Sequence, residues 1–265
     1  MPAQDRQILF DLAAAVETGR PVVLATVIGT RRSVPRHSSS KMLIFEDGET
    51  CGTIGGGEME ARVIAAAGQV LSDRRPRLLE YALVDPNRGD PGICGGEVEI
   101  YLEPYMPRHT VYVVGCGHVG RAVIDLAHWL GYRTVAIDDR PEMVTPELLP
   151  NADERVAGSL SDLDQPVAED ASIVVVTRNI DRDLTTLPEV LAGPARYIGV
   201  MGSARRWRSV SQRLIDAGIA AADLERVRAP IGIEMNAETP EEIAVSIMAE
   251  IIQVNRANSY ATEPS

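Results

Sequence analysis

Val113-Val114-Gly115-Cys116-Gly117-His118-Val119-Gly120 is the stretch that decides how the second half of this 265-residue chain is read. A β-rich run, Thr110 to Val114, leads into it, and a helical run, Val119 to Leu130, leaves it. In that strand–turn–helix setting G-x-G-x-x-G has a mechanism. Gly115 permits the tight turn, Gly117 lets backbone approach a pyrophosphate, and Gly120 allows helix to pack on strand. The helix start then offers unpaired N–H groups and a positive dipole end to phosphate. Asp138 ends the next apolar strand, Arg133–Ile137, near the offset of about 20 residues expected for a ribose-binding carboxylate. It favours a free 2′-hydroxyl, as in NAD, while Arg140 two residues on weighs toward a 2′-phosphate. Cys116 and His118 fill the variable loop positions. They face the ligand or a domain interface, or are tolerated loop residues, and the two readings weigh equally.

Working outward, strands at Val111–Val114, Arg133–Ile137, Arg155–Ala157, Ile173–Thr177 and Tyr197–Val200 alternate with helices for the most part. Such alternation predicts a parallel sheet covered on both faces. Thr239-Pro240-Glu241-Glu242 reads as a capping box that opens a last helix. Its apolar face, with Ile243, Ala244, Ile247, Met248, Ile251 and Ile252, suits the sheet or a second subunit, the sheet being the stronger expectation, and Asn258–Ser265 is expected to be a frayed tail. Toward the N-terminus, Ile8, Leu9, Leu12, Ala13 and Val16 share a helical face. Strands follow at Pro21–Ile28, Lys41–Glu46, Gly52–Ile54, Leu78–Val84 and Val98–Leu102, with an alanine-rich helix from Glu58 to Leu71. The proline-bearing stretch 103–109 is the natural boundary. The fold class is therefore α/β: a Rossmann-type C-terminal domain over residues 107–265, preceded by a smaller α+β domain over residues 1–106.

A net charge of -12 argues against nucleic acid or an anionic membrane as partner. No apolar run approaches a membrane span, and no signal pattern opens the chain. The three cysteines, Cys51, Cys94 and Cys116, lack C-x-x-C spacing, so the expected setting is a reduced cytoplasm. No metal site is expected. No nucleophile elbow, H-E-x-x-H or Walker lysine is present, and no catalytic residue is assigned.

The front half carries three further candidate segments. Arg31, Arg32, Arg36 and Lys41 lie in the one strongly basic, hydroxyl-rich loop, which suits an oxyanion; the alternative is a solvated surface loop. Gly55-Gly56-Gly57 implies unusual backbone angles or close ligand approach, with donors left over at the following helix start. Cys94-Gly95-Gly96 places a thiol in a glycine turn, as a soft ligand or as a buried filler.

Together these segments resemble the xanthine dehydrogenase accessory protein family, XdhC/CoxI-like. The resemblance rests on Ser33-Val34-Pro35-Arg36 with Lys41-Met42-Leu43, on GTIGGGEME at 52–60, on Cys94-Gly95-Gly96 and on the Gly115–Gly120 loop. It extends to YIGVMGS at 197–203, to Pro230-Ile231-Gly232 and to Thr239–Ala244. Two positions depart from the pattern: Ser39 stands where glycine is common, and Arg178 where histidine is common. The resemblance implies a chaperone that binds the mature molybdenum cofactor as cargo, guards it during sulfuration and delivers it to a molybdenum hydroxylase. On that reading Arg31, Arg36 and Lys41 hold the pterin's anionic groups, Gly55–Gly57 and Gly95–Gly96 admit its approach, and Cys94 contacts the molybdenum. Gly115, Gly117, His118, Gly120 and Asp138 would take NAD or a related nucleotide. The implied partners are a hydroxylase apo-subunit and a sulfurtransferase, and a homodimer is expected. The rival readings are an NAD-dependent oxidoreductase and a nucleotide-gated redox sensor.

Overall fold

The computed structural model describes residues 3–31, 39–83 and 96–260. The chain divides into two compact units, Met1–Pro107 and Arg108–Ser265.

In the first unit, helix α1 (Ala3–Thr18) leads to strands β1 (Val22–Arg31), β2 (Lys41–Phe45) and β3 (Thr50–Gly52), helix α2 (Gly57–Asp73), and strands β4 (Arg77–Leu83) and β5 (Gly96–Tyr105). The strands form one antiparallel sheet in the order β3-β2-β1-β5-β4. Period-two alternation sorts its side chains between two layers. Val23, Ala25, Val27, Met42, Ile44, Ile100 and Leu102 meet Met59, Val63, Ala67 and Val70 of α2. Val22, Leu24, Leu43 and Phe45 meet Ile8, Leu12 and Ala15 of α1. The face expected of α1 is therefore corrected: Ile8 and Leu12 are buried with Ala15, while Leu9 and Val16 are exposed. Both sets keep helical spacing, and only the sheet position decides between them. β1 also runs three residues past the predicted Ile28, because its outer end pairs with β5 through Arg31↔Glu97. Ser39 takes φ 83, a left-handed conformation that favours glycine.

The second unit runs β6 (Thr110–Val114), α3 (His118–Trp129), β7 (Arg133–Asp138), β8 (Glu154–Ala157), β9 (Ser172–Val175), α4 (Ile180–Ala192), β10 (Tyr197–Val200), α5 (Ala204–Asp216), α6 (Ala221–Leu224), β11 (Val227–Arg228) and α7 (Pro240–Tyr260). All its strands are parallel, in the order β11-β10-β9-β6-β7-β8. Counted within the unit this is 6-5-4-1-2-3, the doubly wound dinucleotide-fold order, whose switch point lies between β6 and β9. One face packs Val111 and Val113 against Val123, Ile124 and Ala127 of α3 and Ala244, Ile247, Met248 and Ile251 of α7. The other packs Tyr112, Val114, Ile137, Ile173 and Val175 against α4 and α5. Each fully buried Val or Ile here contributes roughly 1.5–3 kcal/mol relative to exposure. The capping box at α7 forms as predicted: the Glu242 amide donates to Thr239 Oγ1 at 3.2 Å, and the Thr239 amide to Glu242 Oε2 at 3.0 Å. α7 continues to Tyr260, into the stretch read as a frayed tail, and the rest of that stretch lies outside the described residues.

Candidate functional site

In the second unit a cavity of about 430 Å³ opens at the carboxyl ends of β6, β7 and β9, lined by Gly115, Gly117, Asp138, Arg140, Ser159, Thr177, Arg178 and Arg182 among others. The three glycines do separate work. Gly115 adopts φ 104, and a Cβ there would lie 2.7 Å from the Val176 carbonyl oxygen. At Gly120 a Cβ would lie 2.0 Å from the Gly115 oxygen, so α3 can sit this close to β6 only without a side chain. A Cβ at Gly117 would meet nothing within 4 Å. The backbone at the start of α3 is therefore open to close approach. No side chain caps α3, and its first turn holds no acid, which leaves the positive dipole end uncompensated.

Asp138 is buried, and four hydrogen bonds converge on its carboxylate. Oδ1 accepts from the Arg140 amide at 3.1 Å and Nε at 2.9 Å; Oδ2 accepts from the Cys116 amide at 2.8 Å and Arg140 Nη2 at 2.9 Å. Burial pushes its pKa up, but the Arg140 guanidinium and the two amides prevail and hold it below the usual aspartate range. Beside it, Asp139 pairs with Arg178 at 3.5 Å and more closely with Arg182.

Two loop residues sit away from this cavity. Cys116 is fully buried, with Sγ turned to the Ile137 carbonyl at 3.6 Å, which fits the tolerated loop residue of the two readings and not the one that faces a ligand. Burial pushes that thiol up to about 12. The His118 ring lines a separate hollow of about 470 Å³ between α3 and α7, with Arg121, Asp125 and Glu241. What His118 presents to the glycine turn is its backbone amide at the helix start.

In the first unit, strand polarity brings the predicted segments to one end of the sheet. Arg31 closes β1, Lys41 opens β2, Gly52 closes β3, Leu83 closes β4 and Gly96 opens β5. Arg36, Cys94 and Gly95 lie outside the described residues, as does Arg32, but the residues flanking both segments belong to this end. Arg31 is largely exposed and 3.7 Å from Glu97. Lys41 pairs across from Thr26, five residues before Arg31. At about 3.3 Å per residue the two cations stand roughly 16 Å apart along the strand, so they do not form one fork.

The glycine run passes through φ 143, 78 and 69 at Gly55, Gly56 and Gly57, angles closed to most side chains. Space above Gly56 and Gly57 is open. Its donors, however, are not all left over. Glu60 Oε2 accepts from Thr53 Oγ1 at 2.6 Å, the Ile54 amide at 3.2 Å and the Gly56 amide at 3.0 Å, while the Gly55 amide donates to Thr53 Oγ1 at 3.2 Å. With Glu58 also in the first turn, this helix start already carries its negative charge. These engaged amides precede the helix, and the donors expected at the helix start itself meet no side-chain cap. The sequence signal for Glu60 is an acid four residues after Gly56 at a helix start.

Sequence reasoning also missed what Asp183 does. This buried carboxylate accepts from Thr177 Oγ1 and, at 3.0 and 2.6 Å, from Nε and Nη2 of Arg206, which tie the end of β9 to α4 and α5. Among the described residues no group of acids, histidines and cysteines could hold a metal ion, and no helix is long and apolar enough to cross a membrane.

Comparison with known proteins matches residues 111–251 to the XdhC Rossmann domain and residues 15–82 to the XdhC and CoxI family. The chain is 33% identical over 266 residues to the uncharacterized protein YqeB of Escherichia coli K12, covering 97% of this chain and 48% of that one. It thus spans about half the length of that relative. It is 23% identical over 299 residues to the molybdenum cofactor insertion chaperone PaoD of the same organism, covering 94% and 88%. A xanthine dehydrogenase crystal structure from Bacillus halodurans shares the fold, with a TM-score of 0.52, 23% identity and 98% of each chain covered. With a family model spanning more than half its length, this chain belongs to the XdhC and CoxI family of xanthine dehydrogenase accessory proteins.

Proposed function

We propose that this chain is a molybdenum-cofactor chaperone that holds the pterin cofactor during sulfuration and hands it to a xanthine dehydrogenase-type hydroxylase. The observation that carries the reading is the gathering of Arg31, Lys41, the Gly55–Gly57 run and Gly96 at one end of the front sheet. PaoD, which aligns almost end to end with this chain, supports it by name. Because Glu58 and Glu60 already neutralise the α2 start, the cofactor's anionic groups would be held by the cations Arg31, Arg36 and Lys41 rather than by backbone amides. The open faces of Gly56 and Gly57 leave room for a flat ring to lie against the chain. Cys94, two positions before Gly96 in the sequence, would supply a soft thiolate toward the molybdenum or its terminal sulfur. The second unit's cavity would take NAD or a related nucleotide, with its diphosphate at Gly117 and the α3 start. A hydroxylase apo-subunit and a sulfurtransferase are the partners this role requires, with the chain working as a dimer in the cytoplasm.

A carrier needs reversible binding more than transition-state stabilisation. An oxidoreductase would instead need an acid–base group at the cavity, and neither Asp183 nor His118 is placed to serve as one. Asp183 holds Arg206 and Thr177, and the His118 ring lies in another hollow. Incubating the purified chain with NADH and a panel of small carbonyls and alcohols separates the two. The chaperone reading expects no hydride turnover with any of them, and steady NADH oxidation would replace it with the oxidoreductase.

A further inference from the structure

A carboxylate offers about four acceptor positions, two on each oxygen. On Asp138 all four are filled, three of them by Arg140 through its amide, Nε and Nη2, and the fourth by the Cys116 amide. A ribose seated in the usual way donates its hydroxyls to this same carboxylate. It finds no acceptor left. The two backbone amides cannot leave, because the Cys116 amide belongs to the glycine turn and the Arg140 amide to the bend after β7. The guanidinium can leave: the Arg140 side chain is 33% exposed and lines the cavity.

Resting on the reading of this cavity as a nucleotide site, we propose that Arg140 is its latch, a specificity-determining residue whose guanidinium occupies the ribose subsite on Asp138 and must swing aside before a nucleotide with free ribose hydroxyls can seat. An arginine in a phosphate-binding cavity ordinarily attracts the ligand, so its removal weakens binding. Here the sign is reversed. Arg140 competes with the ribose for Asp138, and removing it frees two acceptor positions. A 2′-phosphate gains nothing from that change. It replaces one of the two donating hydroxyls, leaving the ribose only its 3′-hydroxyl, and it meets a carboxylate that has lost its counter-ion. The latch therefore weakens binding of the unphosphorylated ribose in particular.

Titration calorimetry with NADH and NADPH on the full chain tests this in Arg140→Ala and in Arg140→Met, which keeps an apolar stem without a donor. Circular dichroism establishes that each variant is folded. Both should bind NADH about tenfold more tightly than the unsubstituted chain, a gain of about 1.4 kcal/mol, with NADPH binding no tighter. Unchanged or weaker NADH binding in a folded variant, or an equal gain for NADPH, overturns the latch and leaves the nucleotide reading standing. Absence of NADH, NADPH and ADP binding in the unsubstituted chain and both variants overturns the nucleotide reading and the latch with it.

Discussion

Gly117 and Gly120 stand three positions apart in one turn, yet opposite outcomes are expected when each becomes alanine. At Gly120 the new methyl would overlap the Gly115 carbonyl, and neither backbone can move without shifting α3 on β6. Gly120→Ala should cost roughly 1–3 kcal/mol by urea unfolding, as overpacking does. Gly117→Ala should leave stability within about 0.5 kcal/mol, since nothing lies near its Cβ, while reducing nucleotide affinity by filling the diphosphate's space. Equal stability loss at both positions would contradict the separate roles. Asp138 carries a second expectation at this scale. Its folded pKa is depressed, so the stability it contributes is present above the unfolded value of about 3.9 and is lost as pH falls through the folded one. Asp153, lowered by the Thr134 amide and Arg108 despite its burial, acts in the same direction. Asp138→Asn should therefore flatten the fall in thermal midpoint below about pH 4, and an unaltered acid profile would deny Asp138 that part.

At the scale of elements, readings that rest on local chemistry agree with the structure, and those that need a distant partner do not. The α7 capping box involves four consecutive residues and forms as read. Thr239→Ala should cost about 1 kcal/mol of stability, measured by the urea midpoint, and no change would mean that the Glu242 half suffices. The fingerprint glycines were legible because each answers a steric demand made within the turn. Which way Cys116 points was not legible, since that depends on where Ile137 lies, 21 residues on. Likewise the Asp139 group with Arg178 and Arg182 joins residues about forty positions apart, and only the parallel sheet brings the ends of β7 and β9 together. The two-residue strand β11 pairs with β10 alone and gives no periodicity to read. Helix α1 presents two apolar stripes, and the choice between them was made by β1, β2 and the neighbouring strands.

On the scale of the molecule, two sheets of different construction each offer one loaded end. The front sheet is antiparallel, so its loop-bearing end collects segments from β1, β2, β3, β4 and β5 that are far apart in sequence. In the parallel sheet the carboxyl ends of β6, β7 and β9 do the same around the glycine turn. Our proposal gives cargo handling to the first and nucleotide binding to the second. The most direct test of that assignment is retention of molybdenum cofactor by the purified chain after gel filtration, with pterin and molybdenum quantified per chain. About one cofactor per chain should be retained. Arg36→Ala, if it removes a charge-assisted contact, should lower that affinity by about 1.5–3 kcal/mol, and Asp138→Asn should leave it unchanged. No retained pterin, or retention abolished by Asp138→Asn and untouched by Arg36→Ala, would contradict the account.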